Sequence, residues 1–315
     1  MATARETDLV TVAAVRTSDK KAGVQYLFNE RQQVFVLAEK AAADDRTARL
    51  LQEVADQPRP VRVTLDAKRG MITRVGEPRA REVEDFTRAR VLIEKPEKIV
   101  ALDVDKIDPT TFNFADLYLK WRVFRTCTKV VPSYARAKEI FDFCAQLSCN
   151  LPGPYAVNPC IPFQYVIDGC YARAHQMRRI ITKRYGYCCE KVFSFATANN
   201  DTLAVKADKW GGCCVFWWYH VAPLIRVRLR LRGFLNANLT LAMVIDPGMF
   251  NKPVLLSTWL AAQQNTMCSA NAHVTSYSIQ PGSAYAPAGI GNFSTDPNYS
   301  ATEATLIAYA NLTTC

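Results

Sequence analysis

The first 126 residues contain no cysteine, and all eleven cysteines lie between Cys127 and Cys315. Such a chain joins two regions with different requirements, one without cross-links and one as cysteine-dense as a disulfide-stapled secreted domain. Long apolar runs are also missing. The longest, Cys213 to Ile225, has 13 residues and includes His220 and Pro223, well short of the roughly 20 needed for a spanning helix, so it reads as a buried strand. The start, Met1 to Asp8, has no apolar signal-peptide core, which leaves a cytosolic chain or a secreted one whose signal is absent from this chain. The cysteine density favours secretion. Histidine is scarce, with three in the chain, which restricts both general bases and metal ligands. Zinc would have to use Cys188-Cys189 and Cys213-Cys214, but adjacent cysteines lack the usual two-residue spacer and no second histidine is near. No metal or other cofactor is expected. Eleven is odd, so five bridges would leave one thiol over, and a nucleophile would be that one.

At 315 residues and 49% hydrophobic, the chain is long enough for two domains with real cores. A net charge of +10 raises the question of a polyanionic partner. The sharpest basic feature has another explanation. Arg226, Arg228, Arg230 and Arg232 alternate with Val227, Leu229 and Leu231, a period-two strand with one buried and one charged face, and exposed arginines discourage edge-to-edge pairing. Neither nucleic acid nor membrane is therefore expected as a partner, and attraction to acidic protein substrates stays open.

Alternation predicts one strand over 24–40, clearest from Gln33 to Leu37. A helix over 44–55 follows, then strands at 61–65 and 71–75 and a helix over 78–90, a small α+β unit. Residues 94–112 form a charged, proline-containing connector whose apolar centre, Ile99 to Leu102, could dock. A helical piece is expected at 114–121, and composition changes between Trp121 and Val131, where exposed basic residues invite a protease. Helices are then expected over 134–147 and 170–183, and strands at 161–167, 191–196, 213–232 with a break near Pro223, 240–245 and 305–310. Cys149 and Cys160 flank a Pro- and Asn-rich loop and could close it.

The stretch Asp168-Gly169-Cys170-Tyr171-Ala172-Arg173-Ala174-His175 sets a cysteine beside a glycine at a helix start. Free N–H groups and the helix dipole there lower a thiol's pKa and can hold an oxyanion. A cysteine nucleophile needs a base. His175, five residues on, lies about 140° around the helix from Cys170 and is read as structural. His220, in the strand Trp217 to Val221, is preferred to His273, which sits in a loop, because rigid elements hold geometry. Asp246 ends a strand expected to pair with that of His220, although an Asp before Pro-Gly is also an ordinary turn former. Cys, His and Asp on helix, strand and strand match the layout of papain-like and transglutaminase-like enzymes.

These residues resemble the protein-glutaminase (protein-glutamine glutaminase) family, secreted bacterial enzymes that deamidate glutamine side chains within proteins. The resemblance lies in Cys160 to Tyr165, Asp168 to His175, Met177-Arg178, Gly186 to Phe193, Cys213 to Val215, Trp217 to Ala222 and Ile245 to Pro247. It is dense from Val131 to Pro247 and thins toward Cys315. It implies an α+β fold, a small α+β propeptide domain followed by a papain/transglutaminase-like domain with the cysteine at a helix N-terminus and His and Asp on antiparallel strands. The divisions implied are a propeptide at 1–112, a connector with the processing region at 113–130 and a catalytic domain at 131–315. Cys170 would be the nucleophile, His220 the base and Asp246 its orienting carboxylate. A propeptide strand at Gln32, Gln33 and Val34 would imitate substrate, with Gln33 presenting a side chain near Cys170. The implied partners are proteins or peptides with exposed glutamine and an activating protease, with a monomeric chain. Cys127, Cys144, Cys188 and Cys315 depart from the family pattern, so its disulfide map does not transfer. A transglutaminase or cysteine protease with the same triad, and a basic disulfide-rich binding protein, are the competing readings.

Overall fold

The structure, a computed structural model, describes residues 5–17, 23–42, 44–57, 59–88, 91–92, 100–101, 130–151, 159–198, 200–230, 238–289 and 291–315. Period-two burial organises the N-terminal part. Along Val61–Asp66, Val61, Val63 and Leu65 are buried while Arg62 and Thr64 are half-buried, so one face of the strand meets a core. This strand pairs with Arg5–Val10 on one side and Met71–Gly76 on the other, and Val12–Thr17, Val24–Phe28 and Arg31–Leu37 complete the array. Helix Asp45–Asp56, capped by the Asp44 carboxylate on the Arg46 N–H, lays Leu51 and Val54 against Val10, Phe28, Phe35 and Ile72. Each such side chain contributes about 1.5–3 kcal/mol on full burial, so this part carries a core of its own.

The later part is built on a six-stranded antiparallel sheet. Its order is Val254–Leu255, Asn238–Val244, Tyr219–Arg230, Glu190–Phe195, Ser276–Gln280 and Val100–Ala101. Alternation along the central strand splits its side chains between two layers. Tyr219, Val221, Ile225 and Val227 pack under helix Cys170–Tyr185 with residues of helices Tyr134–Gln146 and Ser300–Tyr309. Ala222 and Leu224 face the other way, toward Trp217, Trp259 and Leu260. The strand Arg31–Leu37 joins the two parts at the edge of strand Cys214–Trp217, with Gln33 opposite Trp217.

The bridge Cys149–Cys160 closes its loop, and Cys213–Cys315 and Cys214–Cys268 tie the C-terminus and a distant loop to one strand end. On a chain-entropy model, closing a loop of about 100 residues is worth roughly 4.7 kcal/mol. Cys213 and Cys214 thus offer no thiolate to a metal.

Several expectations need correction. Three thiols are free among the described residues, Cys144, Cys170 and Cys189, rather than one. Residues 161–167 form turns and a single bridge from Ile161 to Ser148 instead of a strand. The segment expected as a strand at 305–310 is the end of helix Ser300–Tyr309. The break in 213–232 falls at Trp218, and Pro223 stays in the ladder opposite Lys191. The arginine-bearing strand is central in its sheet, so it protects no edge, and Arg226 is buried on Glu190 at 2.8 Å. The apolar centre of the connector does pair, Val100–Ala101 against Ser276 and Tyr277. The rest of the connector, the helical piece at 114–121 and the junction up to residue 129 lie outside the described residues.

Candidate active site

Gly169 sets the geometry at the helix start. Its φ is 78°, a region that favours glycine, and a Cβ placed there would lie 2.8 Å from the Tyr309 ring. Gly169→Ala is therefore expected to lower stability by about 1–3 kcal/mol, read as a lower midpoint in urea unfolding. The turn delivers Cys170 as the first helical residue, 1% exposed.

The backbone N–H of Val221, next to His220 in its strand, is among the groups that favour the Cys170 thiolate. His220 is buried between two indoles, Trp217 at 4.5 Å and Trp259 at 5.3 Å between ring centroids, both nearly parallel to it. Its Nε2 meets Asp246 Oδ2 at 2.9 Å, and the same oxygen accepts Trp259 Nε1–H at 3.0 Å. Nδ1 is buried and has no hydrogen-bond partner. Burial alone would raise the Asp246 pKa, but the hydrogen bonds from His220 and Trp259 outweigh it and hold the carboxyl below its usual value. An anionic Asp246 fixes the imidazole with its proton on Nε2 and leaves Nδ1 unprotonated.

The thiol behaves differently from the expectation of a lowered pKa. Burial pushes Cys170 well up, Asp168 adds to this, and Arg173 and the Val221 N–H only partly oppose it. Its burial thus favours the neutral thiol in this form.

The covering group is Gln32, fully buried. Its Oε1 accepts the Cys170 N–H at 3.0 Å, its Nε2 donates to Val166 O at 3.1 Å, and its backbone carbonyl accepts the Trp218 N–H at 2.8 Å. Gln33, expected to present its side chain here, instead turns its amide to Ala67 O at 2.8 Å, and Val34 packs at the margin of the core. Successive strand residues face opposite ways, so one position of register decides which glutamine enters.

The remaining histidines are engaged elsewhere. His175 Nε2 bonds Asp296 O and Nδ1 meets Lys191 Nζ at 2.7 Å, and burial together with Lys191 pushes its pKa down to about 2, so it is a neutral structural group. His273 pairs with Asp201 at 2.9 Å. Sequence reasoning missed Trp259, Asp168 and Tyr309 as parts of this site. Asp168 stands in the octapeptide and could have been found there, while nothing local marks the other two.

A family model described as Glutaminase matches residues 137–263. Among solved structures, a variant of pro-protein-glutaminase is 25% identical, with 99% of this chain and 95% of that chain covered and a TM-score of 0.71. Protein-glutaminase is 34% identical over 60% of this chain and 92% of that chain, TM-score 0.50. The protein-glutaminase of Chryseobacterium proteolyticum is 34% identical over 59% and 91%, TM-score 0.50. No curated protein sequence matches. With more than nine-tenths of a 34%-identical relative covered and the whole chain superposable on a proenzyme, this chain belongs to the protein-glutaminase family.

Proposed function

We propose that this chain is the secreted, inactive precursor of a protein deamidase, with an inhibitory propeptide at 1–112, a processing region within 113–130 and a catalytic domain at 131–315. One observation carries the reading: a glutamine side-chain amide of the N-terminal part, Gln32, rests its carbonyl oxygen on the N–H of the candidate nucleophile. That is where a substrate glutamine would place its own.

In the proposed mechanism His220 Nδ1 takes the Cys170 proton and the sulfur attacks the amide carbon. The developing oxyanion sits on the Cys170 N–H. Val166 O orients the amide nitrogen, which takes the proton from His220 and leaves as ammonia, giving a thioester. Water, deprotonated by His220, attacks the thioester, releasing glutamate and returning the proton to the thiol. Asp246 keeps the imidazole in register and stabilises its cation.

Limited proteolysis of the purified precursor, followed by an ammonia assay on a glutamine-rich protein, tests this. Activity is expected after trimming and little before it. Mass spectrometry distinguishes the competing chemistries, since deamidation adds about one dalton per site, a protease makes new termini and a transglutaminase joins chains. New termini or cross-links without deamidation would overturn the reading.

Gln32 gives a second test. In the precursor, Gln32→Glu places a carboxylate against Val166 O and beside Asp168, acceptor against acceptor. The cover should loosen by roughly 1–3 kcal/mol, measured as faster labelling of Cys170 by iodoacetamide than in the parent precursor.

A further inference from the structure

The residue before Gln32 is held as specifically as Gln32 itself. Arg31 is buried, and its Nη1 lies 2.7 Å from Asp168 Oδ2. The same Nη1 also bonds the Tyr309 hydroxyl, and the guanidinium carbon stands 5.9 Å from the centre of the Tyr309 ring. Tyr309 in turn donates to Asp168 Oδ2 at 2.9 Å. The other carboxylate oxygen, Oδ1, accepts the Gly169 N–H at 2.8 Å and the Gln32 backbone N–H at 3.3 Å. Trp218 completes the grip, its indole N–H on Arg31 O at 2.6 Å and its backbone N–H on Gln32 O. One carboxylate two residues before Cys170 therefore touches both the backbone of the glutamine and the side chain of the residue ahead of it.

Arg31 has further partners within its own part of the chain, Glu6 at 3.0 Å and Asp8 at 2.9 Å. Those carboxylates leave with the N-terminal part when it is removed. Asp168 and Tyr309 stay, as an acceptor and a ring uncovered by the loss of Arg31, next to the oxyanion position. An acidic group in a site that closes over its ligand favours a cation and disfavours an anion or an apolar group there.

We propose that Asp168 and Tyr309 form a specificity subsite for a cationic side chain, and that the trimmed enzyme prefers glutamines preceded by arginine or lysine. This rests on the deamidase reading and on Gln32 standing where a substrate glutamine stands. Arginine fits better than lysine, because its planar fork can reach the carboxylate and the hydroxyl together while lying against the ring.

Three synthetic peptides that differ only in the residue before a single glutamine, arginine, alanine or glutamate, would be assayed for ammonia release by the trimmed enzyme. Arginine should exceed alanine in kcat/KM by roughly tenfold to hundredfold, the scale of one partly desolvated charge-assisted pair, with glutamate slowest. The arginine advantage should shrink as salt is raised. In the trimmed Asp168→Asn enzyme the arginine-to-alanine ratio should collapse toward one, and in Tyr309→Phe it should fall part of the way. The ratio in the unmodified enzyme needs no variant to fold. Equal rates on the three peptides, with ammonia still released, overturn the subsite alone. Failure to release ammonia from any peptide or from a glutamine-rich protein overturns the deamidase reading and the subsite together.

Discussion

Replacing Cys170 with alanine should lower ammonia release by the trimmed protein by about five to six orders of magnitude, the scale expected when an activated nucleophile is removed. The reason is chemical. Without the sulfur there is no thioester, and what remains is binding plus one N–H at the oxyanion position, which supports only slow direct attack by water. The loss must appear in kcat with the fold retained, so the variant should keep the unfolding midpoint of the parent to within the small cost of deleting one buried sulfur. Measurable turnover near the parent rate in Cys170→Ala would sink the mechanism. A companion measurement uses the thiol itself. Burial raises the Cys170 pKa in the covered form, and since the thiolate is the reactive species, iodoacetamide should label this residue slowly in the precursor and quickly after trimming. Cys144 and Cys189 are buried as well, with the Cys189 thiol pushed up to about 12 by burial, and they should stay unlabelled in both forms.

Asp246→Asn should cost about 10³–10⁴-fold in kcat. The amide preserves the shape and an acceptor for Trp259, but it cannot stabilise the imidazolium formed when His220 takes the thiol proton. A loss in kcat with little change in KM is the expected pattern. The same residue predicts a pH effect on stability. Its folded pKa lies below the ordinary value of 3.8, so the carboxylate's contribution is complete above 3.8 and is lost as pH falls through the lower folded value. Acid unfolding of the parent should thus contain a component below 3.8 that Asp246→Asn lacks. Overlapping acid titrations of the two proteins would refute this account of the pair.

Some features could be read locally. Gly169 followed by a helical apolar pattern marked the start of helix Cys170–Tyr185, because an Asp-Gly turn directly before a periodic run places the boundary. The helix Asp45–Asp56 and the strands Val61–Asp66 and Met71–Gly76 were legible because their periodicity, caps and turns agree. Other segments misled. Thr305 to Ala310 is apolar and β-branched enough to suggest a strand, yet packing beside helix Cys170–Tyr185 makes it helical, a case of tertiary contacts outweighing local preference. The arginine alternation was read correctly as a strand, but as a solvated or edge-protecting one, since nothing local reveals which strands will lie on either side.

By itself, the sequence determined the types of the candidate reacting groups, the separation of a cysteine-free part from a cross-linked one, and the helix that presents Cys170. These depend on neighbours within a few residues, where spacing is set by the backbone. Tertiary structure alone decided which glutamine is seated, what flanks His220 and what Asp168 touches. Gln32 rather than Gln33 enters because of pairing at Trp217 and Trp218, about 185 residues away. Trp259 reaches Asp246 from a six-residue helix, and Arg31 meets Asp168 across 137 positions. Strand register and long-range packing are collective properties of the folded chain, and a one-residue shift in either would exchange the side chain in the site while leaving every local pattern intact.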